Sequence, residues 1–330
     1  MDVTVFSARR GARVAFATAL FGAACAAPTD ATPVDVVPAD PNLVRSVATS
    51  TPEIFAPDVI SDDNEQWRIT FTPDGKTAYF AESPEFFPFT RQATIYVSTF
   101  VDGAWTAPVV APFSGQYSDI DPFLSPNGQR LYFSSIRPVD GVMRGDIDLW
   151  MVERTPDGWS EPVNLGPAVN DPNADELYPS VSADGTLYFA SGPFFPQPGL
   201  DFDIYRAERD GAGFAPREEL GAGVNTQPSP NDAGLQDAWE FNPEISVDGK
   251  TLVFTSLRPG GFGLGDLYVS HLVRGEWTAA RNLGPVVNTG SDEYHPTLSR
   301  NGQELYFVRR IPQRGDFYVV STSALDALKR

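Results

Sequence analysis

The sequence predicts an all-β protein, a five-bladed β-propeller whose blades are four-stranded antiparallel sheets. One observation is a short turn phrase that occurs five times along the chain. A second is the order of strand-like segments, which is the same around each copy. A third is an unmatched strand-like segment near the start of the chain, which supplies the strand missing from the last repeat. A repeat at a near-constant interval, built on a turn between two apolar segments, is typical of propellers and solenoids.

The repeated phrase predicts a β-hairpin. It places Asp-Gly or Asn-Gly between two apolar runs, as in 246–254 and 299–307. Glycine supplies the positive φ that such a tight turn requires, so each phrase predicts the inner and second strands of one blade. The turn glycines, 53 to 64 residues apart, are Gly75, Gly128, Gly185, Gly249 and Gly302.

Each hairpin is followed by a predicted third and fourth strand. The third strands resemble the segment 203–205, and an aromatic residue marks each of the four complete fourth strands. The fifth repeat ends after its third strand, near Ser321, whereas the segment 52–60 has the pattern of a fourth strand. We therefore expect the N-terminal strand to join the last blade and close the ring, which would remove an exposed sheet edge.

The composition fits one large β domain and excludes one class of partner. The chain has 330 residues, of which 42% are apolar, so it can bury a sizeable core. Its formal net charge is −19, whereas nucleic-acid phosphates require a basic surface. We expect a monomer with no nucleic-acid partner.

The N-terminal residues predict export from a bacterial cell. Three arginines precede an apolar run at 14–24, which is too short to span a bilayer as a helix but has the length of a signal-peptide core. We assign 1–27 to a signal peptide, 28–51 to a disordered tether and 52–330 to the propeller.

The single cysteine, Cys25, leaves two alternatives for the location of the mature protein. Its position at the end of the apolar run resembles that of the lipidated cysteine of bacterial lipoproteins, whereas cleavage after Ala26 or Ala27 would discard it. The expected location is the periplasm or, through the lipid anchor, the outer membrane; release to the outside of the cell is a further alternative. We expect no other contact with a membrane.

Several phrases resemble the WD-repeat-like propeller repeats of TolB and of the propeller modules in OmpA-associated periplasmic proteins. They are 159–170, 256–268 and 292–299, and the resemblance covers residues 52–322. It implies a secreted or periplasmic binding scaffold and brings no catalytic residues with it. TolB has six blades and a further N-terminal domain, so its particular partner is not implied for this chain.

Two columns of residues are predicted to meet around the central channel. The first column, eight residues before the Asp or Asn of each turn, is Gln66, Asp119, Glu176, Glu240 and Glu293. The second column, two residues later, is Arg68, Asp121, Tyr178, Asn242 and His295. We expect a carboxylate repeated at one place in each blade to accept backbone N–H bonds or to pair with an arginine such as Arg137 or Arg258.

Two other interpretations of these carboxylates are open from sequence. Together with Asn170, Asn225 or Asn288 they would supply the oxygen ligands that Ca²⁺ prefers, and Ca²⁺ is the only cofactor that the sequence suggests. A five-bladed glycoside hydrolase would instead need one acid with a raised pKa and one ionised partner. The candidates for that pair are Asp121, Glu176, Glu240 and Glu293. The blades are alike, however, whereas a catalytic site requires a different environment for each acid.

Aromatic loops indicate where a partner would bind. The loops 82–89 and 192–199 join second to third strands, and 225–239 is the longest loop before an inner strand. Aromatic side chains on a rigid scaffold suit binding, although these rings could equally pack on one another. The candidate contacts from the loops are Phe86, Phe87, Phe194, Phe195 and Trp239.

The function that we expect from sequence is non-catalytic binding of an envelope protein or peptide, or of a carbohydrate. The contact surface would be the end of the propeller that carries these loops. It would include the column residues Asp119, Asp121, Glu176, Tyr178, Glu240, Asn242, Glu293 and His295.

Overall fold

Five antiparallel β-sheets surround one axis in the computed structural model, which describes residues 49–193, 201–227, 239–311 and 314–329. The architecture is the five-bladed propeller that the sequence predicted. The helices in these ranges are one α-helix, Phe87–Thr90, and two 3₁₀ helices, Thr322–Ala324 and Asp326–Leu328. None of them is both long enough and apolar enough to cross a lipid bilayer.

Each blade has an inner, a second, a third and an outer strand, and we number the blades 1 to 5 along the chain. The inner strands are Glu65–Phe71, Asp119–Leu124, Asp175–Val181, Glu240–Ile245 and Asp292–Leu298. The second strands are Thr77–Ser83, Arg130–Ser135, Leu187–Gly192, Thr251–Ser256 and Glu304–Arg310. The third strands are Thr94–Val101, Asp148–Thr155, Asp203–Ala207, Asp266–Val273 and Gly315–Ser321.

The outer strands of blades 1 to 4 are each broken into two short pieces. In chain order they are Ala104–Trp105 with Val109–Val110, Gly158–Trp159 with Val163–Asn164, Gly213–Phe214 with Glu218–Glu219, and Glu276–Trp277 with Arg281–Asn282. In blade 3 the first piece pairs with an additional strand, Arg209–Asp210. The outer strand of blade 5 is Glu53–Ile54, from the start of the described chain.

The hairpin between inner and second strands is held by its own polar side chains. In blade 4, Asp248 accepts the hydroxyl of Ser246 at 2.6 Å and the backbone N–H of Lys250 at 3.1 Å. Gly249 follows at a φ of 68°, a conformation that costs little without a Cβ atom. The Ser/Thr-x-Asp/Asn-Gly phrase therefore specifies this turn by local hydrogen bonding.

The phenylalanine that ends each phrase anchors its blade. These five side chains are fully buried: Phe80, Phe133, Phe189, Phe254 and Phe307. Each lies opposite an aromatic residue of the third strand, and in blades 1, 3, 4 and 5 the two rings stack with centroids 5.8–6.3 Å apart. The third-strand partners are Tyr96, Trp150, Tyr205, Tyr268 and Tyr318.

The N-terminal strand closes the ring as predicted. Ile54 pairs with Tyr318, and the N–H of Phe55 donates to the carbonyl of Phe317 at 2.7 Å. The tether predicted for 28–51 is described only from Thr49, whose carbonyl accepts the N–H of Ser321 at 2.9 Å. Blade 5 thereby combines the two ends of the described chain.

The ring of Phe55 seals the junction between the last and first blades. It lies edge-on to Phe71, Trp105 and Tyr306, with centroids 5.2–5.8 Å away. Edge-to-face aromatic pairs add stability beyond the area that they bury. The closure therefore depends on side-chain packing as well as on backbone pairing.

We expect Phe55→Ser to lower the free energy of unfolding by about 2–3 kcal/mol, because three aromatic contacts are lost at the closing seam. Ile54→Ser is the matched control, since this neighbouring side chain is 43% exposed, and its cost should stay below about 1 kcal/mol. Urea denaturation of both variants measures the difference. Equal costs at the two positions would contradict a closure held by packing.

Candidate functional site

The second-column residues lie together on the propeller axis and are largely removed from solvent. Arg68, Asp121 and Asn242 are 0% exposed and His295 is 2% exposed, whereas Tyr178 is half-buried. Every inner strand has a bulge at this position, and in blades 2 to 5 the column residue has a positive φ of 50–63°. In this structure a ligand cannot reach most of the residues that the sequence placed on an open channel.

The bulges connect neighbouring blades. In blades 2, 4 and 5 the last residue of the inner strand, after the bulge, turns its N–H toward a side chain of the preceding blade. In blade 4 the N–H of Ile245 donates to Oγ of Ser180 at 2.8 Å, and in blade 5 the N–H of Leu298 donates to Oε1 of Glu244 at 3.0 Å. The strained backbone at the axis is therefore balanced by inter-blade hydrogen bonds.

Arg68 crosses the axis from blade 1 to blade 4. Its guanidinium donates to the carbonyl of Pro243 at 3.1 Å and pairs with the carboxylate of Glu244. Burial raises the pKa of Glu244 to about 7, and the positive charge of Arg68 acts in the opposite direction. A buried guanidinium is stable only with such partners, so this ion pair fixes the two blades relative to each other.

Asp121 and His295 face each other at the axis as two neutral groups. Oδ1 of Asp121 lies 3.4 Å from Nδ1 of His295, and neither carboxylate oxygen has a hydrogen-bond partner among the described residues. Burial raises the pKa of Asp121 to about 8, against the charge of Arg68, and burial lowers the pKa of His295 well below 6.5. At neutral pH the aspartic acid is therefore protonated and the imidazole uncharged.

The first-column carboxylates have a structural role. All four are 0% exposed, and each accepts a hydroxyl hydrogen bond from Ser or Thr at 2.6–2.8 Å. Each also pairs with an arginine: Asp119 with Arg137, Glu176 with Arg217, Glu240 with Arg258 and Glu293 with Arg309. The pairs predicted for Arg137 and Arg258 are thus present. Arg217 could not be foreseen, because it comes from the loop between the two pieces of its outer strand, 41 residues away from Glu176.

Apart from those of Asp121, the oxygens proposed as Ca²⁺ ligands accept protein donors. The amide groups of Asn170, Asn225 and Asn288 each pair with both backbone groups of one third-strand residue. Asp175 accepts the N–H of Ile147 at 2.7 Å and thereby joins blade 3 to blade 2. Across the described ranges, no group of three or more His, Cys, Asp or Glu residues is arranged to hold a metal ion.

The loop phenylalanines occupy different environments. Phe87 is 3% exposed and packs against Trp67, so the sequence-based expectation that it contacts a partner is corrected: this ring belongs to the core. Phe86 is partly buried, between Trp67 at 5.6 Å and the guanidinium of Arg310 at 4.2 Å. Trp239 is partly exposed and packs on Phe202. The remaining candidates, Phe194, Phe195 and Cys25, lie outside the described residues.

A ring of exposed apolar side chains lies on the same end of the propeller. The loop between second and third strands contributes at least one such residue in blades 1, 2, 4 and 5. We call this set the apolar rim; it consists of Phe89, Val142, Met143, Phe262, Leu264 and Ile311. Phe89 is 85% exposed and Leu264 78%, and the other four are at least 50% exposed.

Sequence reasoning missed most of the apolar rim. The sequence-based prediction selected pairs of adjacent phenylalanines. In blade 1 that pair is Phe86 and Phe87, and the exposed residue is Phe89, whose ring centroid lies 5.4 Å from that of Phe86. The usable signal was large apolar residues between glycines in equivalent loops, as in 141–145 and 261–265. A Cβ atom on Gly263 would clash with the carbonyl of Ser291, so the backbone of this loop packs closely on the propeller and leaves Phe262 and Leu264 exposed.

Two grooves of similar size lie at opposite ends of the propeller. One of about 580 Å³ lies at the hairpin-turn end, beside the aromatic rings of the closing seam. The other, of about 590 Å³, lies between blades 1 and 2 at the loop end, and its lining includes Glu82, Tyr96 and Tyr117. The second groove shares its end of the propeller with the apolar rim.

Comparison with known proteins supports the fold and goes no further. No protein-family model matches the sequence, and no curated protein matches it. Among solved structures, the endo-arabinase of Bacteroides thetaiotaomicron is similar with a TM-score of 0.51 at 13% identity, over 80% of this chain and 96% of that one.

Two other solved structures have lower TM-scores. TolB of Acinetobacter baumannii has a TM-score of 0.47 at 17% identity over 79% of this chain, and this chain spans only 53% of that TolB. The α-L-arabinofuranosidase of Podospora anserina has a TM-score of 0.47 at 12% identity, over 84% of this chain and 98% of that one. The resemblance to TolB is thus one of fold alone, and no activity transfers from any of these proteins.

Asp121 should make the protein less stable as the pH rises. Its pKa is about 8 in the folded protein and 3.8 when unperturbed, so between these values the folded state holds a proton that the unfolded state has lost. This group alone lowers the free energy of unfolding by up to about 1.4 kcal/mol per pH unit. We expect Asp121→Asn to flatten the fall in stability between pH 5 and pH 8, measured by urea denaturation.

Asp102→Asn is the matched control for that experiment. Asp102 also has a positive φ, 51° against 57° for Asp121, but it is exposed. The control should leave the pH dependence unchanged. An unchanged slope in Asp121→Asn as well would show that the axial carboxyl does not titrate as described.

Proposed function

We propose that this protein is an exported, non-catalytic scaffold that binds another protein of the bacterial envelope through the apolar rim. One observation carries the proposal. Four equivalent loops each hold large apolar side chains in solvent at one end of the propeller. Exposed apolar side chains grouped on one surface are typical of protein-interaction sites.

The chemistry of the rim favours a protein partner over a carbohydrate. Four of its six residues are aliphatic or a thioether: Val142, Met143, Leu264 and Ile311. Sugar rings are usually held by flat aromatic rings with polar groups beside them, whereas aliphatic side chains match the apolar residues of another protein. Phe89 and Phe262 would be the aromatic anchors of such an interface.

The rim loops are held by the propeller, which favours binding with little loss of entropy. In blade 4 the carboxylate of Asp266 accepts the N–H of Phe262 at 2.6 Å and that of Gly263 at 3.0 Å. In blade 2, Val139 and Val142 exchange two backbone hydrogen bonds at 2.9 and 3.1 Å. Loops fixed before binding pay less ordering entropy when a partner docks.

The burial of its candidate acids argues against the glycoside hydrolase alternative. Glu176, Glu240 and Glu293 are fully buried and each is paired with an arginine, and Asp121 is enclosed at the axis. A substrate would have to reach two of these carboxyl groups at a fixed separation. An envelope location for the binding protein is a proposal that rests on the predicted signal peptide alone.

Site-specific photocrosslinking tests the proposed surface. A photoreactive amino acid at position 89 or 264 should crosslink to the same envelope protein in living cells. The matched positions are 101 and 273, because Val101 and Val273 are 47% and 52% exposed but lie at the far ends of third strands. We expect no shared adduct from these two.

The double variant Phe89→Ser, Leu264→Ser should then weaken binding of the crosslinked partner by about tenfold or more, since each anchor contributes over about 1 kcal/mol. Its melting temperature should match that of the wild type, because both side chains are exposed. Equal affinity of the double variant and the wild type would contradict the proposal.

A further inference from the structure

Four of the five blades contain the same guanidinium site. In each, the arginine that pairs with the first-column carboxylate also donates to a backbone carbonyl of the preceding connection, at 2.7–3.3 Å. Its guanidinium lies 4.8–5.7 Å from the centroid of the third-strand aromatic ring. The four arginines are Arg137, Arg217, Arg258 and Arg309. The blade architecture thus provides a carboxylate and an aromatic face for one guanidinium.

Blade 1 has the carboxylate and the aromatic face but lacks the arginine. In blades 2 to 5 the first-column acid stands opposite Ser or Arg on the second strand. In blade 1 this cross-strand pair is reversed, with Gln66 on the inner strand and Glu82 on the second strand. In blades 2 and 4 the arginine stands four residues after the buried phenylalanine of the second strand. The equivalent residue of blade 1, four residues after Phe80, is Pro84. The aromatic face is Tyr96, and no cation of the described residues lies over its ring.

Glu82 is buried without a positive partner. It is 7% exposed; Oε2 accepts from Nδ2 of Asn64 at 3.3 Å, and Oε1 has no donor at hydrogen-bond distance among the residues that the structure describes. Within the described ranges no Lys or Arg forms an ion pair with it. Burial, followed by the nearby negative charge of Asp62, raises the pKa of Glu82 to about 8. The four first-column acids of blades 2 to 5 each have an arginine, so blade 1 is the exception among the five.

The space left by the absent arginine is open. Glu82, Pro84 and Tyr96 all line the groove of about 590 Å³ at the loop end. Arg91 also lines this groove, but its guanidinium pairs with Asp175 of blade 3 at 3.0 Å. The groove is therefore lined by a buried carboxyl group that has no cationic partner among the described residues and by an aromatic ring.

We propose that this groove binds a guanidinium group from outside the chain, paired with Glu82 and stacked on Tyr96. The ligand would repeat the contacts that the four internal arginines make in their own blades. A planar guanidinium suits a carboxylate beside an aromatic face better than an ammonium does. Two sources share this chemistry, an arginine side chain of a peptide and a small guanidine compound. The inference does not rest on the proposed function, because a free guanidinium compound should bind whether or not the apolar rim has a partner.

Binding should be coupled to release of a proton. The cation pairs with the ionised form of Glu82, whereas at neutral pH this carboxyl group is mostly protonated. Affinity should therefore rise with pH and level off above about 8. The groups that face Glu82 are Asp62, Asn64 and Gln66, together with Tyr96 of the neighbouring third strand.

Isothermal titration calorimetry with N-acetyl-L-arginine amide tests the proposal on the whole exported protein. We expect saturable binding at millimolar concentrations or below, with proton release seen as a dependence on buffer ionisation enthalpy. N-acetyl-citrulline amide, the neutral isostere, should bind at least about tenfold more weakly, because the charge-assisted hydrogen bonds are lost. Free L-arginine distinguishes the two sources: tighter binding than the amide indicates a small-molecule ligand, and weaker binding indicates a peptide.

Glu82→Gln should reduce the affinity for the arginine amide by about tenfold or more. Glu85→Gln is the control, since this carboxylate is exposed on the same loop and outside the groove. The double variant Gln66→Glu, Glu82→Arg gives blade 1 the Glu293–Arg309 arrangement of blade 5. It should fill the site internally, raise the melting temperature and abolish binding.

Three results would overturn the proposal. The first is no saturable binding of arginine amide to the wild type at pH 8. The second is equal binding of the arginine and citrulline compounds. The third is stabilisation of the wild type, but not of Glu82→Gln, by Ca²⁺ with no response to arginine, which would make the groove a cation site of another kind.

Discussion

Closure of the ring is the constraint on which the rest of the structure depends. Pairing of Ile54 with Tyr318 brings five inner strands to one axis, where there is little room for water. Most polar groups that the strands carry there are paired within the protein, because an unpaired buried group is costly. Arg68 shows the consequence, since it spans the axis to reach the carbonyl of Pro243 and the carboxylate of Glu244.

The same constraint decides what the acidic residues do. From sequence, a repeated carboxylate could be a metal ligand, a catalytic acid or a structural group. Burial forces Glu176 and Glu240 to pair with Arg217 and Arg258, so each acid stabilises its own blade. Binding of ligands or partners is therefore left to the parts of the molecule that closure does not bury, namely the loops at the ends of the strands.

Blade 1 departs from the pattern of the other four, and the proposed guanidinium site rests on that departure. A repeat protein supplies its own comparison, because each blade shows what the others would contain if they were alike. In the other four blades an arginine pairs with the equivalent acid, whereas Glu82 has no arginine among the described residues and lines a groove. The apolar rim is informative for a similar reason, since large apolar side chains are exposed in equivalent loops of four blades.

The sequence by itself determined the five blades, their strand order and the closing strand, because turn chemistry and apolar alternation are local properties that repeat. It also indicated that Asp119 and Glu240 would pair with arginine, since both partners belong to the same repeat. Only the tertiary structure decided that Phe87 is buried while Phe89 is exposed, that Asp121 is enclosed beside His295, and that Glu82 has no cation. These depend on which side chains from distant blades fill a space, and that is fixed when the ring closes and packs.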